Sequence, residues 1–207
     1  MPIEKLIPLL AEGVRDTLYM TTVSTLFAYL LGLPLAIVLV LTAPGGLRPM
    51  AMLYRALDAV VNVLRSIPFL ILMILVIPLT RLIAGRAYGS TATIVPLVIA
   101  AAPYVARMIE SSLLEVDPGV IEAAQSMGAS IPTLIFKVLI PEAKTSLIVG
   151  ATISTGTILG YSAMSGAIGG GGLGQIAISY GHNRDQADGL LGAGGLLIIL
   201  MQVIQGL

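Results

Sequence analysis

Residues 117–141 read DPGVIEAAQSMGASIPTLIFKVLIP, a capped, amphipathic helix–turn–helix set between stretches apolar enough to cross a bilayer. Asp117 is a strong N-cap, and Pro118 takes the first helical position, where a missing N–H costs nothing. The first helix is expected over 119–127, stopping at Gly128, the residue type that most cheaply adopts the left-handed conformation after a helix end. Ser130 is placed to cap a second helix, with Pro132 in its first turn, running over 133–140 and ending before Pro141. There Leu134, Ile135, Val138 and Leu139 recur at helical spacing and give one apolar face. A helix pair resting in the headgroups needs only that amphipathicity. The first helix offers more: Ala123, Ala124 and Gly128 are small enough to admit another backbone closely, and Glu122 can accept a charged hydrogen bond. Small residues around one acid describe a ball for a socket on a soluble partner.

The rest of the chain supplies the membrane. Of 207 residues, 57% are hydrophobic and only 11% charged, against about a quarter charged in ordinary soluble domains. The mean hydropathy is +0.98. With no cysteine and a single histidine, His182, disulfides, thiolate sites and histidine-based metal or triad chemistry are excluded. Eleven basic and eleven acidic residues cancel, so no net field recruits nucleic acid. No cleavable signal peptide is evident, and the first span is expected to act as the insertion signal.

A helix needs about 20 apolar residues to cross the hydrocarbon core. Five spans are expected, over 17–41, 59–81, 87–107, 145–163 and 189–207, with the coupling element within 110–141 and the whole chain one membrane domain. The second is the least clean. It requires Arg65 to snorkel or to face protein, with Asp58 as one candidate partner, and Pro68 and Pro78 to bend the helix. The last span reaches Leu207 without a basic stop, which implies a missing tail. Five spans place the termini on opposite sides. A cytoplasmic 117–141 element then puts the N-terminus outside and the C-terminus inside, an orientation the nearly even distribution of basic residues does not decide.

Within the fourth span, Gly156 and Gly160 form a GxxxG pair suited to close helix packing. Ser154, Thr157 and Tyr161 are mildly polar groups that either bond back to their own helix or line a path for a zwitterion. Met164 is either a gap-filling side chain or, if the helix lines a pore, a soft gate. Gly169-x-Gly171-x-x-Gly174 matches a dinucleotide fingerprint in letters only, since a membrane helix precedes it where a strand is required. A tight outer turn, or a surface for a docking protein, is the expectation there. Arg107 and Glu110 are spaced to pair, with a role in steadying the coupling loop open. His182, Asp185 and Asp188 are expected in the last outer loop.

The chain resembles the permease subunits of ATP-binding-cassette importers, which carry E-A-A-x3-G-x9-I-x-L-P in a cytoplasmic loop. Here the pattern is Glu122-Ala123-Ala124-x3-Gly128-x9-Val138-x-Ile140-Pro141, with Val for Ile and Ile for Leu. Over most of its length it is similar to the methionine-importer branch, through residues 64–69 (LRSIPF), 102–107 (APYVAR) and 160–166 (GYSAMSG) with the glycines of 169–174. The resemblance implies an all-α membrane protein of the type I importer permease fold, non-catalytic, in the bacterial inner membrane. It implies a dimer with a second copy of itself, two separate ATPase subunits that bind ATP and magnesium, and an extracytoplasmic binding protein that delivers methionine. This chain itself would bind no cofactor. Glu122, Ala123, Ala124, Gly128, Ser130 and Pro141 are the residues expected to couple it to the ATPase. The alternatives are the same machine for another small amino acid or nutrient, or an autonomous channel or proton-coupled carrier. The last lacks the intramembrane acid a proton relay needs in its clean spans.

Overall fold

The chain is a succession of helices, with no strand among the residues described. The computed structural model describes residues 3–182 and 186–206. The expectations placed on Asp185, Leu207 and the His182 side chain lie outside the described residues.

Helix α1 (Ile3–Thr42) is followed by α2 (Ala51–Ser66), α3 (Phe69–Leu75), α4 (Ile77–Ala84) and α5 (Ser90–Leu114). The coupling segment holds α6 (Pro118–Ser126), α7 (Ile131–Thr133), a π-helical stretch (Leu134–Leu139) and α8 (Ile140–Glu142). Then come α9 (Lys144–Ser165), a 3-10 turn (Gly166–Ile168), α10 (Gly172–Ile176), a second π-helical stretch (Ala177–His182) and α11 (Ala187–Gln205).

Four of these helical runs, Leu6–Thr42, Ser90–Leu114, Lys144–Gly181 and Ala187–Gln205, are long and apolar enough to cross a membrane. The second expected span departs from the expectation of one helix over 59–81. Pro68 supplies no N–H and disfavours helical backbone at Ile67, so α2 closes at Ser66 and α3 opens afresh at Phe69. The broken pair makes a fifth span when taken as one. The first helix also starts well before residue 17, and Asp188 stands in the opening turn of α11, not in a loop.

The contacts group into two compact units. One comprises the described parts of Met1–Phe27, Ile67–Ala101 and Thr155–Leu207. Its core packs Met20, Phe69, Met73 and Leu97 together, with a second cluster of Leu173, Ile176 and Ala193. The rings of Phe69 and Tyr161 stack with centroids 4.7 Å apart and planes 5° from parallel. The glycines of 166–174 belong to this core, because Gly166, Gly170, Gly172 and Gly174 are buried. The Gly170 carbonyl accepts from Thr93 Oγ1 at 3.0 Å, the Gly169 carbonyl accepts from Gly89 N at 2.9 Å, and a Cβ on Gly172 would lie 2.6 Å from Thr17 Oγ1. Backbone packing accounts for this glycine density, so most of the segment is not the exposed docking surface the sequence left open.

The other unit comprises Ala28–Ser66 and Ala102–Ser154. In it Gly32 lets α1 approach α5: an added Cβ would sit 2.9 Å from Val105 Cγ1 and 3.0 Å from the Ala102 carbonyl oxygen. The coupling segment is part of this unit.

Candidate functional site

The first helix of the coupling segment is built as its sequence dictates. Asp117 Oδ1 accepts from Gly119 N at 2.6 Å, closing the N-cap, and Pro118 fills the first position. At the other end Gly128 takes φ +79°. Gly128 N donates to the Gln125 carbonyl at 2.9 Å and Ala129 N to the Ala124 carbonyl at 3.1 Å, the paired bonds of a Schellman termination. Both ends of this nine-residue helix are therefore closed without help from elsewhere. That matters because a helix so short is marginal on propensity alone.

The four motif positions of this segment do not share one environment. Ala124 is buried, 6% exposed, and packs inward. Glu122, Ala123 and Gly128 are exposed. Glu122 and Gln125 line a cavity of about 430 Å³ beneath the turn at Pro44, Gly45 and Leu47. Ala123 faces a shallower hollow with Asp117, Met127 and Lys137. Met127 and Phe136 stand 82% and 62% exposed around the same element. The surface thus offers one carboxylate in an apolar-walled groove, small side chains beside it and large apolar side chains at the margin. Such a surface can receive a cationic donor and bury apolar area against a protein.

The second helix differs from expectation at both ends. Ser130 occupies the N-cap position, but its hydroxyl does not cap; it meets Thr133 Oγ1 at 2.9 Å. Pro141 does not end the helical run, which continues to Glu142. A proline ring inside an α-helix collides with the carbonyl four residues back. Here the preceding turn widens into a π-helix, with Ile140 N bonding the Ile135 carbonyl, and the chain passes the proline without stopping. The apolar face is as expected: Leu134, Ile135 and Leu139 are buried and Val138 is half-buried.

The pore and gate candidates lie along α9. Ser154 is fully buried; its hydroxyl donates to the Gly150 carbonyl at 2.7 Å on its own helix and also meets the Tyr29 hydroxyl of α1. Thr157 is half-buried, as is Tyr161, which is stacked on Phe69. Met164 is 51% exposed. Of the GxxxG pair, Gly156 faces Met201 of α11, and Gly160 has open space where a Cβ would be.

The sequence leaves Asp58 as one candidate partner of Arg65. Instead Asp58 bonds Arg107, and Asn62 Nδ2 donates to Asp58 Oδ2 at 3.1 Å. Arg107 Nη1 also holds Glu110 Oε2 at 2.7 Å, the spacing the sequence did predict. The i, i+4 placement of Asp58 and Asn62 was the signal for the wider cluster. Among the described residues no three His, Asp or Glu side chains are grouped to hold a metal.

Residues 28–205 match the family model described as the binding-protein-dependent transport system inner membrane component. The chain belongs to that family. It is 48% identical over 199 residues to the probable D-methionine transport system permease protein MetI of Vibrio cholerae, covering 96% of this chain and 88% of that one. It is 48% identical over 163 residues to the D-methionine transport system permease protein MetI of Escherichia coli K12, covering 79% and 75%. Among solved structures, a chain of the MetNI methionine ABC transporter in an inward-facing conformation superposes with a TM-score of 0.96 at 47% identity, over 98% of this chain and 94% of that one. An amino acid ABC transporter chain superposes with a TM-score of 0.81 at 22% identity, covering 99% and 92%, a likeness of fold alone. This permease is thus an inner-membrane transport component with the type I importer permease fold, and the carboxylate groove and capped helix of residues 117–141 are part of it.

Proposed function

We propose that this permease carries methionine, D or L, inward across the cytoplasmic membrane by alternating access. The identity of 48% over 96% of the chain, to a relative named as a D-methionine transport permease, is the observation that carries the substrate. In this reading the chain is one permease domain that pairs with a second copy. Two ATPase subunits bind ATP and magnesium and dock on the coupling element, and an extracytoplasmic binding protein delivers the substrate.

The roles of individual residues follow from the site. Glu122, in its groove, accepts a cationic side chain of the ATPase; Ala123 and Gly128 admit its backbone. Ala124, Ser130 and Pro141 act from within, by packing α6 and shaping the turn and helix behind it. Thr157, Tyr161 and Met164 face the path on the α9 side, with Met164 as the gate, and Ser154 holds that helix. Four long apolar helices, with the broken pair taken as a fifth crossing, support termini on opposite sides; with the coupling element on the ATPase side, the N-terminus lies outside and the C-terminus in the cytoplasm.

Proteoliposomes containing the permease and its ATPase, supplied with binding protein and labelled methionine, test this reading. Uptake should require ATP and be competed by unlabelled methionine. Uptake without the ATPase, or ATP-driven uptake of another nutrient with none of methionine, overturns it. Glu122→Arg should abolish co-purification of the ATPase; retention at wild-type levels removes the role given to the groove.

A further inference from the structure

We propose that Arg107 is a positioning residue that locks α2 to the stem of the coupling helix, so that α2 and α6 shift as one piece. The proposal rests on α6 being the coupling helix; the lock itself does not depend on the substrate.

The observation is a single guanidinium shared by two helices. Arg107 Nη1 donates to Glu110 Oε2 at 2.7 Å on its own helix. Its Nη2 reaches across to α2, bonding Asp58 Oδ1 and, at 3.1 Å, Asn62 Oδ1. Asn62 in turn donates to Asp58, which orients that carboxylate. The side chains of Arg107, Asp58 and Glu110 are 20%, 32% and 6% exposed, so water competes weakly for the charged bonds, while the exposed Asn62 stands at the rim of the cluster. Only an arginine fits: it is planar, always charged and carries five donors in a fixed fork, whereas a lysine ammonium cannot serve two carboxylates and an amide at these angles.

Simple stabilisation does not explain the arrangement. Apolar side chains of similar volume hold two helices together as well as a buried ion pair does, often better. What the cluster adds is register. Asp58 and Asn62 are one turn apart on α2, and both must face Arg107 for the bonds to form. Helix α5 then runs unbroken from Arg107 to Leu114, and only Glu115 and Val116 separate it from the Asp117 cap of α6. A displacement of α6 is passed to α5 through that short link and to α2 through Arg107.

The decisive variant is Asp58→Asn, which cuts the charged bond to α2 and leaves the Arg107–Glu110 pair intact, with Asp58→Glu as the conservative control. The chain has no cysteine, so Met52→Cys on α2 and Ser126→Cys at the end of α6, both exposed in the parent, carry unique spin labels. With one labelled copy per dimer, the 52–126 distance should be narrow in the parent, equally narrow in Asp58→Glu, and clearly broadened in Asp58→Asn, already in the permease without its ATPase. In the full complex, the parent distance should be unchanged between nucleotide-free and analogue-bound states. Uptake per ATP hydrolysed should fall about threefold or more in Asp58→Asn, while co-purification of the ATPase and recovery with Asp58→Glu are retained. A parent distance that changes on nucleotide binding, or an Asp58→Asn distribution as narrow as the parent's, overturns the lock. Failure of the ATPase to co-purify with the parent would instead count against the role of α6, and the distances in the isolated permease would still decide the lock.

Discussion

Thr17 and Leu173, 156 positions apart in the chain, are joined by one buried hydrogen bond: the Leu173 N–H donates to Thr17 Oγ1 at 2.9 Å. Leu173 lies in the first turn of α10, where backbone N–H groups have no partner within the helix. Both residues are buried, Leu173 completely and Thr17 to 1% exposure, so no solvent is at hand to substitute for the bond. Thr17→Val keeps the shape and removes the acceptor, and should cost about 1–3 kcal/mol through the orphaned N–H. Thr17→Ser should cost less. Thermal unfolding of the detergent-solubilised permease checks this; a Thr17→Val variant as stable as the parent shows that the bond contributes nothing.

The left-handed backbone of Gly128, φ +79°, is the single conformational requirement of the α6 C-terminus. Nothing lies within 4 Å of where a Cβ would go, so a substitution there meets strain alone and no clash. Gly128→Ala should therefore cost about 1 kcal/mol of the local fold, appearing as roughly a fivefold weaker affinity for the ATPase. Gly128→Asn should be milder, since asparagine tolerates this region. Equal affinities for the parent and the alanine variant would mean that the loop is ordered by its partner and not by its own cap.

The coupling helix was legible because its information is local. An Asp-Pro start and a glycine stop each act within a few residues, and those caps appear where the sequence puts them. The second helix was half legible: Pro141 signals a stop, but neither the widening of the preceding turn nor the packing of Leu134, Ile135 and Leu139 is a local property. Pairings across distant segments were the least legible. Asp58 could face Arg65 or Arg107, both reachable in principle, and only the packing of α2 on α5 decides for Arg107. The glycines of 166–174 read equally as a flexible or a tightly packed turn, because sequence does not reveal whether the absence of a side chain serves freedom or close packing. With Ser165, Thr17 and Ala163 pressed against them, it serves packing.

Gly156 and Gly160, expected as one packing motif, predict different results. A Cβ on Gly156 would lie 3.1 Å from Met201 Sδ, and methionine is flexible enough to give way. Gly156→Ala should accordingly cost less than about 1.5 kcal/mol in thermal unfolding. A Cβ on Gly160 has nothing within 4 Å among the described residues. If Gly160 packs against the second copy, Gly160→Leu should lower the dimer fraction, counted by single-molecule photobleaching in bilayers, with the fold intact. An unchanged dimer fraction removes Gly160 from the interface.

Glu110 is the most buried carboxylate in the Arg107 cluster, 4% exposed, and Arg107 is the cation beside it. Arg107→Met therefore does more than remove a bond, because it leaves Glu110 charged and desolvated. Breaking one side of such a pair costs about 3–5 kcal/mol, far more than the pair itself is worth. Changing Glu110→Gln in the same chain removes the stranded charge and should recover more than half of that loss. The two effects should fail to add, because the residues share one interaction. Thermal unfolding of the two single variants and the double variant measures the coupling directly. Additive losses would mean that Glu110 draws its compensation from another group, and that Arg107 is free to serve α2 alone.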